Sequence, residues 1–288
     1  IAKAVHEAAA SIQAARMGYA VVLAEGLTRN RRWGYDTEKR EADGERPVVE
    51  PRLTVIRFDS LDGECLALTV HFAAHPTILG AENMRLSAEW PGVLQQELEQ
   101  QFSGCTTFYL NGAVGDQSPE ADAGADDFER MENYGKKLAA LAAESAATVE
   151  TKPDVPIAFA YGAPELPPLA FPEGAERKYQ AYAKAAQEAL PQKAPLQVLQ
   201  IGPVALAGLP GEPIMEVGQA VENKLKEMGD ERPLAVGLAN DYIGYIVNEK
   251  EYAHGGYEVE SRSYYGPGLG MFIAEQMAAI RAGLVEKK

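Results

Sequence analysis

Two side chains of the types that bind zinc follow apolar stretches of this sequence. His75 lies in HFAAHPT, and Glu212 lies in LPGEP. Both stretches are predicted strands, and side chains at the strand ends of a layered α/β fold converge where ligands bind. Imidazole and carboxylate are ligands that Zn²⁺ accepts. The two residues are therefore candidates for one metal site, although His75 could be a simple turn histidine and Glu212 a first-turn glutamate that stabilises a helix dipole.

Another polar group follows a predicted strand in the segment NGAVGDQSPE, which contains Asn111, Asp116 and Ser118. A serine at such a turn could act as a nucleophile. The segment lacks the Gly-x-Ser-x-Gly elbow of the α/β-hydrolases, however. Asp116 and Ser118 could equally make hydrogen bonds that only stabilise the turn.

An arginine-rich segment and a tyrosine-rich segment complete the set. Arg31, in NRR, could offer its guanidinium to a carboxylate or an oxyanion, or it could lie in a solvated basic loop. The segment from Ala239 to Gly268 holds six of the 13 tyrosines among many glycines, and it is predicted to be a loop. His254 in that segment is interpreted as an exposed loop residue, and His71 as a structural residue within a strand.

The totals exclude several classes of protein. The chain has 288 residues, a net charge of −15 and 46% hydrophobic residues. This charge argues against nucleic acid and against anionic membrane surfaces as partners, and no apolar run is long enough for a transmembrane helix. Cys65 and Cys105 are too few for a disulfide-stapled miniprotein, and both are interpreted as buried apolar thiols.

The elements that must position these residues alternate between helices and strands. Hairpins are predicted around Asp62-Gly63 and Gly202-Pro203, so antiparallel pairs must occur within an α/β pattern. The prediction is a layered α/β fold with mixed β-sheets flanked by helices. Further strands are predicted at 19–26, 106–111, 155–166 and 232–240, and a polar loop at 27–51. Helices are predicted at 2–17, 91–102, 127–148, 175–190, 214–229 and 266–284.

Six segments, in order and covering nearly the whole chain, resemble the neutral (non-lysosomal) ceramidase family. They are NRR, HFAAHPT, the stretch from Asn83 to Gly92, NGAVGDQSP, LPGEP and the tyrosine-rich segment. Members of this family cleave ceramide into sphingosine and a fatty acid, using a zinc ion held by two histidines, a glutamate and a tyrosine. The resemblance implies a ceramidase-like catalytic domain with Zn²⁺ as cofactor.

The resemblance also implies roles for individual residues. His75 resembles the second zinc histidine, Glu212 the glutamate and Tyr245 the tyrosine. Arg31 and Tyr257 resemble residues that stabilise the reacting oxygen, and Ser118 occupies the position of a serine that is either a nucleophile or a scaffold residue. Asn111, Asp116 and Tyr242 are assigned to substrate binding.

The sequence departs from the family pattern in three respects. The first zinc histidine of the family belongs to a His-x-His motif, which this sequence lacks. Glu89 stands where an aspartate is usual, and Glu120 where an asparagine is usual. Because the sequence starts without Met, its N-terminal portion is interpreted as missing. Compared with the large ceramidases, it also lacks a C-terminal immunoglobulin-like domain, so residues 1–288 are interpreted as a single catalytic domain. A missing N-terminal segment is expected to complete the site, so the isolated chain should be inactive.

The function expected from the sequence is that of a zinc-dependent amidohydrolase acting on ceramide or a related lipid amide. The alternatives are a metal-free serine hydrolase that uses Ser118 and a non-catalytic binding domain of ceramidase type. The compartment is left open, with a secreted or periplasmic location favoured by the family resemblance.

Overall fold

The structure is a computed structural model that describes residues 2–34, 37–172 and 189–286. Its described strands are β1 Ala15–Leu23, β2 Thr28–Asn30, β3 Arg52–Ser60, β4 Cys65–Phe72, β5 Thr106–Asn111, β6 Gln117–Pro119, β7 Ile157–Gly162, β8 Leu196–Ile201, β9 Val204–Gly208, β10 Glu212–Pro213, β11 Arg232–Val236, β12 Tyr245–Ile246 and β13 Val285–Glu286. Its described helices are α1 Ala2–Ala10, a 3-10 turn at Arg31–Gly34, α2 Thr37–Ala42, α3 Glu89–Gln101, α4 Asp127–Ala147, α5 Met215–Glu227, α6 Glu249–Ala253, α7 Tyr257–Arg262 and α8 Leu269–Ala282.

Two mixed sheets form the centre of the fold. Sheet I has the strand order β1-β3-β4-β5, and sheet II has the order β11-β9-β8-β7-β13. The hairpins β3-β4 and β8-β9 are antiparallel, as the sequence predicts, while β5 runs parallel to β4 and β11 runs parallel to β9. At each hairpin turn a glycine takes a positive φ, 89° at Gly63 and 55° at Gly202, which costs glycine little. The predicted α/β fold with mixed sheets is confirmed.

The layers follow the order helices, sheet I, sheet II, helices. Helices α3 and α4 bury Trp90 and Leu138 against sheet I, and α5 and α8 bury Val221 and Ile273 against sheet II. Between the sheets, a small apolar cluster joins residues of β1 and β3 to residues of β9 and β11. The cluster consists of Met17, Ile56, Val204 and Leu234. Burial of apolar surface on both faces of the sheets therefore holds their strand ends in place.

The helix predicted over residues 2–17 is wrong in its second half. Helix α1 ends at Ala10, and the Ser11 hydroxyl donates to the carbonyl of Glu7. Residues from Ala15 onward form β1, where Met17 pairs with Phe58 and is buried between the sheets. Helical spacing is a local signal, and the pairing with β3 outweighs it in the folded chain.

Two segments predicted as loops are more ordered than expected. Residues 27–51 contain β2, the 3-10 turn and α2, and the tyrosine-rich segment contains β12, α6 and α7. The other predicted helices at 91–102, 127–148, 214–229 and 266–284 correspond to α3, α4, α5 and α8. The helix predicted over 175–190 lies almost entirely outside the described residues. Within the described ranges, no helix combines the length and the apolar character that crossing a bilayer requires.

The interpretation of the two cysteines as free thiols is wrong. Cys65, at the start of β4, is bonded to Cys105, just before β5, with their Cα atoms 5.2 Å apart. The parallel pairing of β4 with β5 brings the two residues together. They lie 40 residues apart in the sequence, and no local pattern indicates this pairing.

Candidate active site

Two hydrogen bonds hold the backbone of His75 in place. Its N–H donates to the carbonyl of Gln117 at 2.9 Å, and its carbonyl accepts from the indole Nε1 of Trp90 at 3.2 Å. The residue follows β4 and precedes Pro76, which restricts its backbone to extended conformations. Only 8% of the residue is exposed. The imidazole therefore occupies a fixed, buried position beyond the end of sheet I.

Glu212 and Tyr245 come together through the short parallel pair β10·β12, in which they are register partners. The glycine before each residue permits this close approach. A Cβ on Gly211 would lie 2.4 Å from the carbonyl oxygen of Gly244, and a Cβ on Gly244 would lie 2.1 Å from that of Arg262. Gly244 also has a φ of 89°, a conformation that favours glycine.

These three side chains meet at one point. Nε2 of His75 lies 2.8 Å from Oε2 of Glu212, and the Tyr245 side chain also contacts that carboxylate. The orientation between Nε2 and Oε2 is not that of a hydrogen bond, so Nε2 is buried without a hydrogen-bond partner. Tyr242 donates from its hydroxyl to the other oxygen of Glu212, Oε1, at 2.6 Å.

The electrostatics favour a negatively charged Glu212. Burial alone would raise its pKa, but the contacts with His75, Tyr242 and Tyr245 outweigh burial and lower the pKa below its ordinary value. Burial, followed by the charge of Glu212, raises the pKa of Tyr245, and Arg31 opposes that rise. Burial and the same carboxylate raise the pKa of Tyr242 to about 12.

Arg31 joins this group from the opposite end of the sequence. Its Nη2 donates to the hydroxyl oxygen of Tyr245 at 3.1 Å and to the carbonyl of Gly115 at 2.7 Å. The guanidinium also lies 5.5 Å from the ring centre of Tyr257, a distance at which cation–π attraction is significant. The Tyr257 ring packs edge-on against Tyr245 with 6.0 Å between centres, and 52% of Tyr257 is exposed.

Sequence reasoning missed the buried charges behind Arg31. Glu258 accepts from Nε of Arg31 at 2.8 Å and from Nη1 of Arg32 at 2.5 Å. Arg32 is only 1% exposed, so the alternative that this segment is a solvated basic loop does not hold for that residue. One signal was available in the sequence: residues 27–51 contain five arginines, and the tyrosine-rich segment contains four glutamates that could pair with them.

The remaining predicted residues lie around this centre in different ways. Asp116 is buried and accepts from Asn30, Gln117 and the backbone N–H of Met215. Burial raises its pKa to about 6, against the lowering effect of its hydrogen bonds to Gln117 and Met215. Through these contacts Asp116 joins β2 and β6 to the start of α5 and holds the three elements in position. Its assignment to substrate binding stays a prediction.

Ser118 and Asn111 make no described contact with the centre. Ser118 pairs through its backbone with Arg29 in β2·β6, and within the described ranges no hydrogen bond joins its hydroxyl to a histidine. Oδ1 of Asn111, at the end of β5, is buried without a hydrogen-bond partner. Their predicted roles stay predictions.

Two of the other histidines, His71 and His254, were given interpretations from the sequence, and the structure bears out only the first. His71 is packed within β4, its Nε2 lies 2.8 Å from the carbonyl oxygen of Ala235, and burial lowers its pKa. Its structural interpretation is confirmed. His254 was expected to be exposed, but only 7% of its side chain is, because it lies against Glu45 with 3.5 Å between Nε2 and the carboxylate.

The residues at the centre are compatible with a zinc ion. In the described part of the chain no three His, Cys, Asp or Glu residues are grouped to hold a metal; here the third group is a phenol. Two ligands at about 2.0–2.1 Å from a tetrahedral zinc lie about 3.3 Å apart. His75 Nε2 and Glu212 Oε2, 2.8 Å apart, would need to separate by about half an ångström. The buried Nε2 without a hydrogen-bond partner is the atom that such an ion would satisfy.

The fold matches that of known enzymes. The neutral ceramidase from Pseudomonas aeruginosa superimposes on 96% of this chain with a TM-score of 0.81 and 20% sequence identity. A structure described as ceramidase complexed with C2 superimposes on 98% with a TM-score of 0.81 and 18% identity. In sequence, 91 residues are 33% identical to Neutral ceramidase B of Dictyostelium discoideum. The chain resembles the neutral ceramidases in both fold and sequence.

The extent of this ceramidase resemblance is limited in two respects. The chain spans 53% and 56% of the two solved ceramidase chains, about half of their length. The sequence match covers 30% of this chain and 13% of the Dictyostelium ceramidase. No protein-family model matches the chain. The likeness to ceramidases therefore covers the fold of nearly the whole chain and the sequence of 30% of it.

Proposed function

We propose that this chain forms much of the catalytic centre of a zinc-dependent amidohydrolase that cleaves an N-acyl lipid amide, ceramide or a close relative. The observation that carries the proposal is the convergence of His75, Glu212 and Tyr245. An imidazole and a carboxylate at one buried point are groups that zinc accepts as ligands, and the phenol of Tyr245 lies beside them. The names of the solved and sequence relatives, all ceramidases, support the choice of substrate.

Three protein groups would hold the ion: Nε2 of His75, the carboxylate of Glu212 and the phenol oxygen of Tyr245. A bound zinc supplies a Lewis acid for the carbonyl and lowers the pKa of a bound water to about 7. The family resemblance assigns a further histidine to a His-x-His motif. That motif does not occur in these 288 residues, so the proposal assigns it to another part of the complete protein.

The surrounding residues have distinct tasks in this proposal. Tyr242 fixes the rotamer of Glu212 through its hydrogen bond, as partners of metal ligands generally do. Arg31 and Tyr257 stabilise the negative charge that develops on the carbonyl oxygen during attack on an amide. Nη1 of Arg31 has no hydrogen-bond partner among the described residues, so it is available to a substrate.

The serine-hydrolase alternative gains no support from the contacts of Ser118, since no histidine is hydrogen-bonded to its hydroxyl in the described part of the chain. A non-catalytic binding domain remains an outcome of the experiment. It would bind zinc or a lipid amide without turning the amide over.

The experiment uses the complete protein and measures zinc content together with hydrolysis of a fluorescent ceramide. The wild-type protein should contain about one zinc per chain, lose activity after chelation and regain it with zinc. Glu212→Gln should lose both zinc and activity, whereas Glu25→Gln, at an exposed glutamate, should retain both. Activity that survives complete removal of the metal would refute the zinc proposal, and zinc binding without amide cleavage would favour a binding domain.

A further inference from the structure

Glu258 lies fully buried between two guanidinium groups. Its Oε1 accepts from Nε of Arg31 at 2.8 Å, and its Oε2 accepts from Nη1 of Arg32 at 2.5 Å. The Glu258 side chain is 0% exposed and Arg32 is 1% exposed, whereas Arg31 retains 22% exposure. One carboxylate therefore links a completely enclosed arginine to the arginine that reaches the candidate site.

Arg32 is immobilised by contacts that do not involve the site. Its Nε donates to Oε2 of Glu251 at 2.8 Å, and its Nη2 donates to the carbonyls of Glu251 and Gly255 at 2.8 and 2.7 Å. Glu251 is held in turn by Arg40, through two hydrogen bonds of 2.7 Å. These bonds leave Arg32 one orientation, so Arg32 fixes the carboxylate plane of Glu258.

The orientation of Arg31 follows from that plane. A guanidinium is planar, and fixing two of its nitrogens fixes the third. Glu258 holds Nε, while the carbonyl of Gly115 and the hydroxyl of Tyr245 hold Nη2. Nη1 is the nitrogen left without a hydrogen-bond partner in the described part of the chain, and the position of Nη1 is set by the other two.

We propose that Glu258 is the positioning residue for Arg31, directing Nη1 toward the reacting carbonyl oxygen while Arg32 and Glu251 fix Glu258 from behind. This inference rests on the proposed amide hydrolysis for its functional consequence, but its structural part does not. Among the described residues, the side chain of Glu258 is hydrogen-bonded to Arg31 and Arg32 and not to the candidate metal ligands, so it acts through Arg31. Catalytic groups displaced by about 1 Å can lose about 10²-fold in rate, so the effect of Glu258 on turnover is measurable.

The first test measures Arg31 directly and needs no activity. In the complete protein labelled with ¹⁵N-arginine, the Nε–H of Arg31 should exchange slowly with water, because it donates to a buried carboxylate. Arg31→Ala identifies the signal by removing it. Glu258→Gln should speed its exchange at least tenfold, and Glu222→Gln, at a buried glutamate that pairs with Arg52 instead, should leave it slow. An Arg31 signal that exchanges equally slowly in Glu258→Gln would overturn the inference.

The second test is a double-mutant cycle on ceramide hydrolysis. Glu258→Gln should lower kcat about 10²-fold with KM changed less than about threefold, because Arg31 acts on charge that develops in the transition state. In the Arg31→Ala background the same substitution should cost less than about twofold. A full 10²-fold further loss in that background would contradict a role through Arg31.

The two tests separate the inference from the proposed function. If the wild-type protein has no amidase activity, the proposed function fails, and the exchange of the Arg31 signal still decides whether Glu258 positions that side chain. Glu258→Asp provides the same comparison should Glu258→Gln not fold. The shorter side chain cannot span both guanidiniums, so it should also accelerate the exchange of the Arg31 Nε–H.

Discussion

Glu212 and Tyr245 are register partners on the parallel strands β10 and β12. Neighbouring strands lie about 4.8 Å apart, and partners in register project to the same side. The backbone therefore sets the separation of these two side chains before any metal binds, although 33 residues separate them in sequence. His75 then reaches the pair from the end of sheet I.

The glycine before Tyr245 should be essential to this arrangement. Gly244→Ala places a Cβ 2.1 Å from the carbonyl oxygen of Arg262 and forces alanine to a φ of 89°. The positive φ alone costs about 1–2 kcal/mol, and the clash adds to it, so the free energy of unfolding should fall by about 3 kcal/mol or more. Urea unfolding measures this. Gly268→Ala, at a negative φ with open space around it, should change stability by less than about 0.5 kcal/mol.

Tyr242 should control metal affinity without binding the metal. Tyr242→Phe removes the 2.6 Å hydrogen bond to Oε1 of Glu212, one of the contacts that orient that carboxylate. Loss of such a partner of a ligand typically weakens metal binding 10–100-fold. Competition with a chelator measures the zinc affinity. Tyr161→Phe, at a tyrosine that is 58% exposed, is the matched control and should have no effect. Equal affinities for both variants would show that Glu212 needs no support from Tyr242.

The buried charges behind Arg31 predict a specific acid sensitivity. Burial would raise the pKa of Glu251, but Arg40 and Arg32 outweigh it and lower the pKa from its ordinary 4.5 to about 2. Because the folded pKa is below the unfolded one, this stabilisation is present above pH 4.5 and is lost as the pH falls from 4.5 to 2. The shift corresponds to at most about 3 kcal/mol, and solvent screening reduces it to about 2 kcal/mol.

Urea unfolding at pH 7 and pH 3 isolates this contribution. The wild-type protein should lose about 1 kcal/mol more stability between the two pH values than Glu251→Gln does, because a carboxylate with a folded-state pKa of about 2 is still mostly ionised at pH 3. The variant itself should be less stable at pH 7, because it leaves Arg32 and Arg40 buried with a neutral partner. The same loss between pH 7 and pH 3 in both proteins would show that Glu251 does not carry a lowered pKa.

The disulfide should affect stability and leave the site intact. Cys65→Ala/Cys105→Ala removes a cross-link between residues 40 apart, which loop-closure entropy relates to about 4 kcal/mol. Cys65 begins β4 and His75 follows its end, so about 25 Å of strand separates the bond from the site. Unfolding midpoints should fall, while zinc content should stay unchanged. A loss of zinc under conditions where the double variant is folded would contradict this separation.

The sequence predicted the features that have local signals. Asp62-Gly63 and Gly202-Pro203 indicated the two hairpins, the alanine-rich run over 127–148 indicated α4, and the spacing of apolar residues indicated α5. Prediction from the sequence failed where pairing with a distant segment decides the secondary structure. Residues 15–17 have helical spacing, but β3 provides strand partners for them, and that partnership is invisible in the local sequence.

The residues of the candidate site also divide into those with a local sequence signal and those without one. His75 and Glu212 stood at predicted strand ends, so their side chains could be singled out from the pattern alone. Tyr245 could be chosen among the crowded tyrosines only through the family resemblance. Glu258 could not be chosen, because its partners Arg31 and Arg32 lie more than 220 residues away and nothing local distinguishes it from other glutamates.

The most direct measurement is an anomalous diffraction map of crystals of the complete protein, recorded at the zinc absorption edge. The account predicts one strong peak about 2.0–2.2 Å from Nε2 of His75 and from a carboxylate oxygen of Glu212, with the hydroxyl oxygen of Tyr245 also coordinated. A zinc peak elsewhere, or none at these three side chains in zinc-loaded active protein, would contradict it.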